Sequence, residues 1–132
     1  MLIEQALYTY LSTYAGLTAL IGTRIYPNTI PQNGTLPAVA YTKVSGYRYH
    51  SLGGDTGEAS PVYQFSVFGS SYSSVKAVTE KIRDALQNYT GLMGGASGVT
   101  VKAVLMMSQS DGYDQDVNEY YDITEYQIFY KE

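Results

Sequence analysis

Apolar residues recur at helical spacing near the start of the chain. The stripe consists of Ile3, Ala6, Leu7, Tyr10, Leu11 and Tyr14. This periodicity predicts an amphipathic helix over residues 2–15. After an interruption at Gly16, residues 17–21 add one more helical turn, which Gly22 ends.

A second helical stripe lies in the middle of the chain. It consists of Val75, Val78, Ile82, Ala85, Leu86 and Tyr89, and it ends before Gly91. The serines of residues 70–74 are candidate N-caps. Lys76 and Glu80 are four residues apart, so we expect them to pair on the exposed side of this helix.

Four segments show the alternation of apolar and polar residues that is typical of strands. They are residues 38–49, 61–69, 99–107 and 119–130. Between the first two lies a glycine-rich polar stretch over 51–60, which predicts a β-hairpin with a long, mobile tip. A glycine-rich link over 91–98 and an acidic loop over 110–118 separate the other elements. Residues 24–37 hold three prolines and predict a loop, with a very short strand at its entry as the open alternative.

The order of these elements is helix, hairpin, helix, hairpin. We therefore predict an α+β fold in which a mainly antiparallel four-stranded sheet carries two helices packed on one face. The chain has 132 residues, a length that suits a single domain over 1–132. No apolar run is long enough to span a membrane, and the first residues lack the pattern of a signal peptide.

Charge and tyrosine content limit the classes of function that the sequence allows. The net charge is −4, all of it in the second half of the chain, where a run of six acidic residues between 111 and 125 includes no basic residue. Phosphate contacts dominate affinity for nucleic acid, so sequence-specific DNA binding is not expected. The chain has 15 tyrosines, which suit either the rim of a β-rich core or a protein–protein interface, and the sequence leaves both open.

The chain carries no pattern of an active site. It has no cysteine, and His50 is its single histidine. A histidine can serve as a general base, but no nucleophile motif accompanies His50, which favours a surface loop residue. The acidic residues Asp111, Asp114 and Asp116 do not follow the spacing of a calcium-binding loop, which favours a solvated loop over a cation site. We expect no enzymatic activity, no cofactor and no metal.

The order of several short motifs carries a family resemblance. Residues 17–27 read LTALIGTRIYP, residues 36–41 read LPAVAY, residues 62–67 read VYQFSV and residues 77–86 read AVTEKIRDAL. In this order and spacing they resemble the tail completion proteins of long-tailed phages and prophages, also called tail terminator or tail-to-head joining proteins. The similarity extends over nearly the whole chain and is clearest over residues 2–90.

This resemblance implies that the protein is a structural component of the virion at the junction of tail and head. It also implies that the protein is assembled into the virion in the host cytoplasm. Members of the family form a ring, usually a hexamer, on the end of the tail tube. There they stop tube growth and meet the head-completion proteins of the neck. The implied partners are copies of the chain itself, the major tail tube protein and a head-completion protein, while DNA passes through without specific binding. The family has no catalytic residues to carry over. The alternative is another neck or head–tail adaptor, which binds a partner without terminating the tube.

Ring assembly requires one surface patch to meet a different patch on the next subunit. The hairpin tip over 46–60 and the acidic loop over 110–118 are the projecting segments that can supply such patches, and we expect both to become ordered on assembly. The candidate interaction residues are Tyr47, Tyr49, His50, Asp55, Glu58, Asp111, Asp114 and Asp116.

Overall fold

The computed structural model describes residues 2–31, 34–46 and 48–131. Within these ranges the chain forms three helices and eight strands. The helices are α1 (Ile3–Ser12), α2 (Ala15–Ile21) and α3 (Tyr72–Leu86). The strands are β1 (Ile25–Pro27), β2 (Ala38–Ser45), β3 (Arg48–Ser51), β4 (Gly54–Ala59), β5 (Val62–Gly69), β6 (Gly91–Met93), β7 (Val99–Asp114) and β8 (Glu119–Lys131).

The helices occupy the two stripes predicted from apolar spacing. The break in the first stripe falls at Thr13 and Tyr14, so Gly16 lies inside α2 instead of interrupting the helix. Helix α3 begins after Ser71, whose Oγ accepts a hydrogen bond from the Ser74 backbone N–H at 3.3 Å and so satisfies one of the free donors of the first turn.

The strands form one mixed eight-stranded sheet. The order along its main path is β1-β2-β5-β8-β4-β3, with β7 on the other side of β8 and β6 beyond β7. Strand β1 is parallel to β2, whereas the other pairs are antiparallel. The predicted four-stranded, mainly antiparallel sheet with two helices is therefore wrong. The very short strand expected at the entry of the 24–37 loop is present as β1. Strand β6 was not predicted, because a three-residue strand beside glycine carries too little alternation to be recognised.

The predicted hairpin tip is itself part of the sheet. Strands β4 and β5 both pair with β8, through Ala59↔Tyr130 and Val62↔Gln127, and so act as one strand interrupted at Ser60 and Pro61. Strands β3 and β4 pair with each other, with a turn at Leu52 and Gly53. We call this two-stranded extension, residues 48–59, the arm.

The predicted acidic loop over 110–118 is mostly strand. Strand β7 continues to Asp114 and stays paired with β8 until Asp114↔Glu119, so the turn covers only residues 115–118. Asn118 adopts a left-handed φ of 55° where the chain enters β8. Glycine at 112 is required by close approach, since a Cβ there would meet the Tyr121 hydroxyl at 2.5 Å. The sequence did not predict this part of the strand, because its many polar residues hide the alternation of apolar and polar positions that indicates a strand.

The core lies between the helices and one face of the sheet. Even-numbered residues of β8 from 122 to 130 are buried, whereas the odd-numbered ones are only partly covered. The largest fully buried side chains include Tyr63, Phe65 and Tyr126, and the Phe65 and Tyr126 rings meet edge-on with centroids 5.8 Å apart. The opposite face carries no helix within the described residues, and we call it the open face.

Candidate assembly surfaces

The arm holds four of the predicted interaction residues, Tyr49, His50, Asp55 and Glu58, and a fifth, Tyr47, directly precedes it. Tyr47 lies outside the described residues, and the side chains of His50 and Asp55 lie outside the described side chains, although the two backbones pair across the arm. Tyr49 is exposed, with its hydroxyl 2.8 Å from Ser60 Oγ. Glu58 forms an ion pair with Lys102 of β7. Tyr49 and Glu58 therefore tie the base of the arm to its surroundings.

The tip of the arm is apolar. Leu52 occupies the turn and is fully exposed to solvent. Two-residue hairpin turns favour Asn-Gly or Asp-Gly, so the turn itself does not require a leucine. Leu52 is therefore available for contact with another protein.

A lysine joins α3 to the β7–β8 hairpin. The Lys76 Nζ lies 2.6 Å from Asp111 Oδ2 and 2.8 Å from Asp122 Oδ2. Asp122 is fully buried and also accepts a hydrogen bond from Gln109 Nε2 at 3.1 Å, while the Tyr72 hydroxyl donates to Asp111 at 3.0 Å. The predicted pairing of Lys76 with Glu80 is wrong, since Lys76 points at the sheet.

These contacts shift the acid–base equilibria of the groups involved. The hydrogen bonds of Lys76 to Asp111 and then to Asp122 raise the pKa of its ammonium group above the ordinary value. The hydrogen bond from Lys76, followed by that from Tyr72, lowers the pKa of the Asp111 carboxyl. Asp111 is thus a structural acid with its charge compensated. Sequence reasoning missed Lys76, Tyr72 and Asp122, because only the fold brings these distant positions together.

The end of the β7–β8 hairpin is different, because its charges are not compensated. Asp114 Oδ1 accepts a hydrogen bond from the Asp116 backbone N–H at 3.0 Å, a local turn contact. In the described part of the chain, no lysine or arginine pairs with Asp114, Asp116 or Glu119. This end of the molecule therefore presents uncompensated negative charge.

A groove crosses the open face between residues 28–36 and the β7–β8 turn. Its volume is about 740 Å³, and Ile30, Leu36, Phe68 and Val117 contribute apolar surface to it. Glu119 is the one charged residue among those that line it. Polar side chains, among them Asn28, Thr42, Gln64 and Asn118, also line it, so the groove has a mixed polar and apolar surface such as protein contacts have.

The described residues form neither a cluster of metal ligands nor a membrane-spanning helix. Across the described ranges, no three His, Asp or Glu side chains come together in a way that could hold a metal ion. None of the helices described is long and apolar enough to cross a membrane.

The comparisons with known proteins agree with a structural role. The family described as tail completion protein gp17 matches residues 5–129. A comparison with curated protein sequences gives no significant match. Among solved structures, the fold is similar to a chain described as part of the virion of a native gene transfer agent particle, with a TM-score of 0.76 and 18% identity. That match covers 97% of this chain and 94% of the other.

The family match spans almost the whole chain, and the fold match covers nearly all of both chains. The chain therefore belongs to the tail completion protein gp17 family, structural components of the phage virion tail.

Proposed function

We propose that this protein caps the end of the phage tail tube, stops its polymerisation and forms the surface that joins the tail to the head. The observation that carries the proposal is the family match over residues 5–129. The likeness of the fold to a virion chain supports it, because nearly all of this chain superposes on a component of a particle.

The subunits act as a ring, with six copies as the expected number. Their partners are the major tail tube protein on one side and a head-completion protein on the other. Exposed features of the described surface suit such work: the apolar tip of the arm at Leu52, the acidic end of the β7–β8 hairpin, and the open face of the sheet. Tyr47, His50 and Asp55 belong to the proposed contact region around the arm, together with Tyr49 and Glu58.

Deletion of the gene from its phage tests this function. Loss of a tube cap leaves polymerisation unchecked, so we expect abnormally long tails without attached heads in electron micrographs. A plasmid copy of the gene serves as the control and restores tails of normal length. Tails of normal length beside unjoined heads would contradict capping and instead indicate a neck adaptor.

A further inference from the structure

The sheet has an open edge at β7. On its side away from β8, β7 pairs with β6 only over Val99–Val101, and the Asn88 N–H then donates to the Val104 carbonyl. Beyond that point, residues 105–114 have no backbone partner on this edge within the described chain. Ten residues of strand span roughly 33 Å. Such an edge is a template for pairing with another strand.

The opposite edge of the sheet is also open. Strand β1 covers β2 only over residues 39–41, after which the Asn28 N–H donates to the Tyr41 carbonyl. Residues 42–45 of β2 therefore present a second free edge in the described part of the chain. The two edges lie on opposite sides of β5 and β8, and no strand pairing joins them within the described chain.

Strand direction makes the two edges compatible. Strand β2 is antiparallel to β5, β5 to β8, and β8 to β7, so β2 and β7 run in opposite directions. A second copy placed head to tail by rotation keeps these directions. The β7 of one copy then lies antiparallel to the β2 of the next, and the helices of both copies stay on the same side of the extended sheet.

Side chains on the two edges are complementary in polarity. Strand β7 exposes Leu105 and Met107, and β2 exposes Val44, so apolar surface is available on both. Residues 105–118 contain three acidic residues and no basic one. Residues 24–27 and 38–45 contain Arg24 and Lys43 and no acidic residue. Lys43 already pairs with Glu4, and Asp111 with Lys76, so the complementary charges are those of Arg24 on one edge and of Asp114 and Asp116 on the other.

The spacing along the edges also agrees. Ile25 lies level with Val39, so Arg24 sits about six residues along the edge from Val44. Asp114 lies seven residues from Met107. In an antiparallel arrangement that places Met107 beside Val44, residues 110–112 come level with residues 39–41, whose edge β1 already covers. The β7 strand must therefore pass along the outer side of β1 from there, and Asp114 then comes level with Arg24. The Arg24 guanidinium is held by the carbonyls of Pro37 and Leu20 at 2.9 and 3.3 Å and has no carboxylate partner in the described chain.

We propose that residues 105–109 of the β7 edge bind the β2 edge, residues 42–45, of a second copy of this chain, and that residues 110–114 continue along the outer side of its β1, with Asp114 beside Arg24. The contact is heterologous, so it propagates around a ring instead of stopping at a dimer. The proposal rests on the proposed ring and specifies which surfaces build it.

Cysteine cross-linking tests the contact directly, because the chain has no cysteine of its own. The variant Val44→Cys/Met107→Cys is incorporated into tails by complementation and treated with a short bismaleimide. A link within one chain leaves the protein at the mass of a monomer, so only links between different copies give multimers. We expect a ladder of covalent multimers up to the ring size.

The controls distinguish this edge from others. The pair Val44→Cys/Leu92→Cys uses an equally exposed position on β6 and should give no ladder. Dimers from Met107→Cys alone would indicate a two-fold contact between β7 strands and would overturn the proposal. So would the absence of a ladder in tails of normal length, and in that case the capping function would still stand. If the first pair prevents folding, as judged by circular dichroism, Ser45→Cys/Leu105→Cys replaces it.

A charge exchange provides an independent measurement. We expect Arg24→Asp or Asp114→Arg alone to lower the phage titre at least tenfold, and the double variant to restore it. Equal titres for the single variants and the wild type would contradict the proposed pairing of Arg24 with Asp114.

Discussion

At the scale of single residues, the clearest energetic requirement is that of Asp122, whose charged carboxylate is buried. Its side chain is fully buried, and within the described chain no group donates to its Oδ1, so compensation of its charge falls on Lys76 and Gln109 through Oδ2. Removing one partner of a buried ion pair leaves an uncompensated charge, which costs far more than losing an exposed pair.

Lys76→Met should therefore destabilise the protein strongly. We expect a loss of about 3 kcal/mol in the free energy of unfolding, measured by urea denaturation. Lys81→Met is the matched control, because Lys81 and Asp84 form an exposed pair at 3.9 Å whose loss should cost at most about 0.5 kcal/mol. Similar effects of the two substitutions would contradict the assigned role of Lys76.

The tyrosines are divided between the core and the surface. Tyr63, Tyr126 and Tyr130 are buried in the core, whereas Tyr72 and Tyr113 are exposed beside Tyr120 near the acidic end of the hairpin. Burial raises the pKa of the Tyr126 hydroxyl to about 12, so it stays protonated at physiological pH. Composition alone could not assign each tyrosine to core or surface, because the same side chain fits both.

At the scale of elements, one carboxylate connects α1 to the sheet. Glu4 Oε1 accepts a hydrogen bond from the Tyr63 hydroxyl at 2.8 Å and lies 3.1 Å from Lys43 Nζ. Partial burial acts to raise the pKa of Glu4. Its backbone hydrogen bond, Tyr63 and Lys43 outweigh that effect, and the pKa is lowered below 4.5.

A lowered pKa in the folded state makes stability depend on pH. The contribution of Glu4 is fully present above its ordinary pKa of 4.5 and is lost as the pH falls through the lower, folded-state pKa. Glu4→Gln should therefore reduce the loss of melting temperature on acidification below about pH 4.5, and should cost less than about 1 kcal/mol at pH 7.

Thermal melts between pH 3 and 7 measure this effect. Glu80→Gln is the control, since its carboxylate lies 3.8 Å from Arg83 on the exposed side of α3. An acid profile of Glu4→Gln that runs parallel to the wild type would show that the contact with Tyr63 and Lys43 contributes nothing to stability.

At the scale of the whole molecule, the uncompensated charge is concentrated at one end. Asp114, Asp116 and Glu119 lie at or beside the turn between β7 and β8, whereas Asp111 is compensated by Lys76. A ring through which DNA passes must not hold phosphate, and negative charge on its inner wall repels it. We therefore expect this end of the hairpin to face the channel.

Replacing Asp116 and Glu119 by their amides tests this orientation; Asp111 is kept for its ion pair with Lys76, and Asp114 is kept for its proposed contact with Arg24 of the next copy. We expect DNA ejection to slow at least twofold in a fluorescence assay, because the wall then attracts the passing phosphates more. Glu80→Gln/Asp84→Asn removes acids from the exposed side of α3 and should leave the rate unchanged. An unchanged rate in the hairpin variant would place these acids away from the DNA.

The amino-acid sequence by itself determined the helices, the long strands and the family. The apolar stripes of α1 and α3 and the alternation in β5 and β8 are local patterns, because a side chain's direction repeats every 3.6 residues in a helix and every two in a strand. The ordered motifs over residues 17–86 are also read directly from the chain, and the family match confirms the resemblance.

Only the tertiary structure decided which distant segments meet. The pairing of β4 and β5 with one strand, the position of Lys76 over Asp122 and the two free edges all depend on strand order and register. These are relations between residues tens of positions apart, and local periodicity carries no information about them. The short or polar strands β1, β3, β4 and β6 form because neighbouring strands supply hydrogen-bond partners, a cause that lies outside their own sequences.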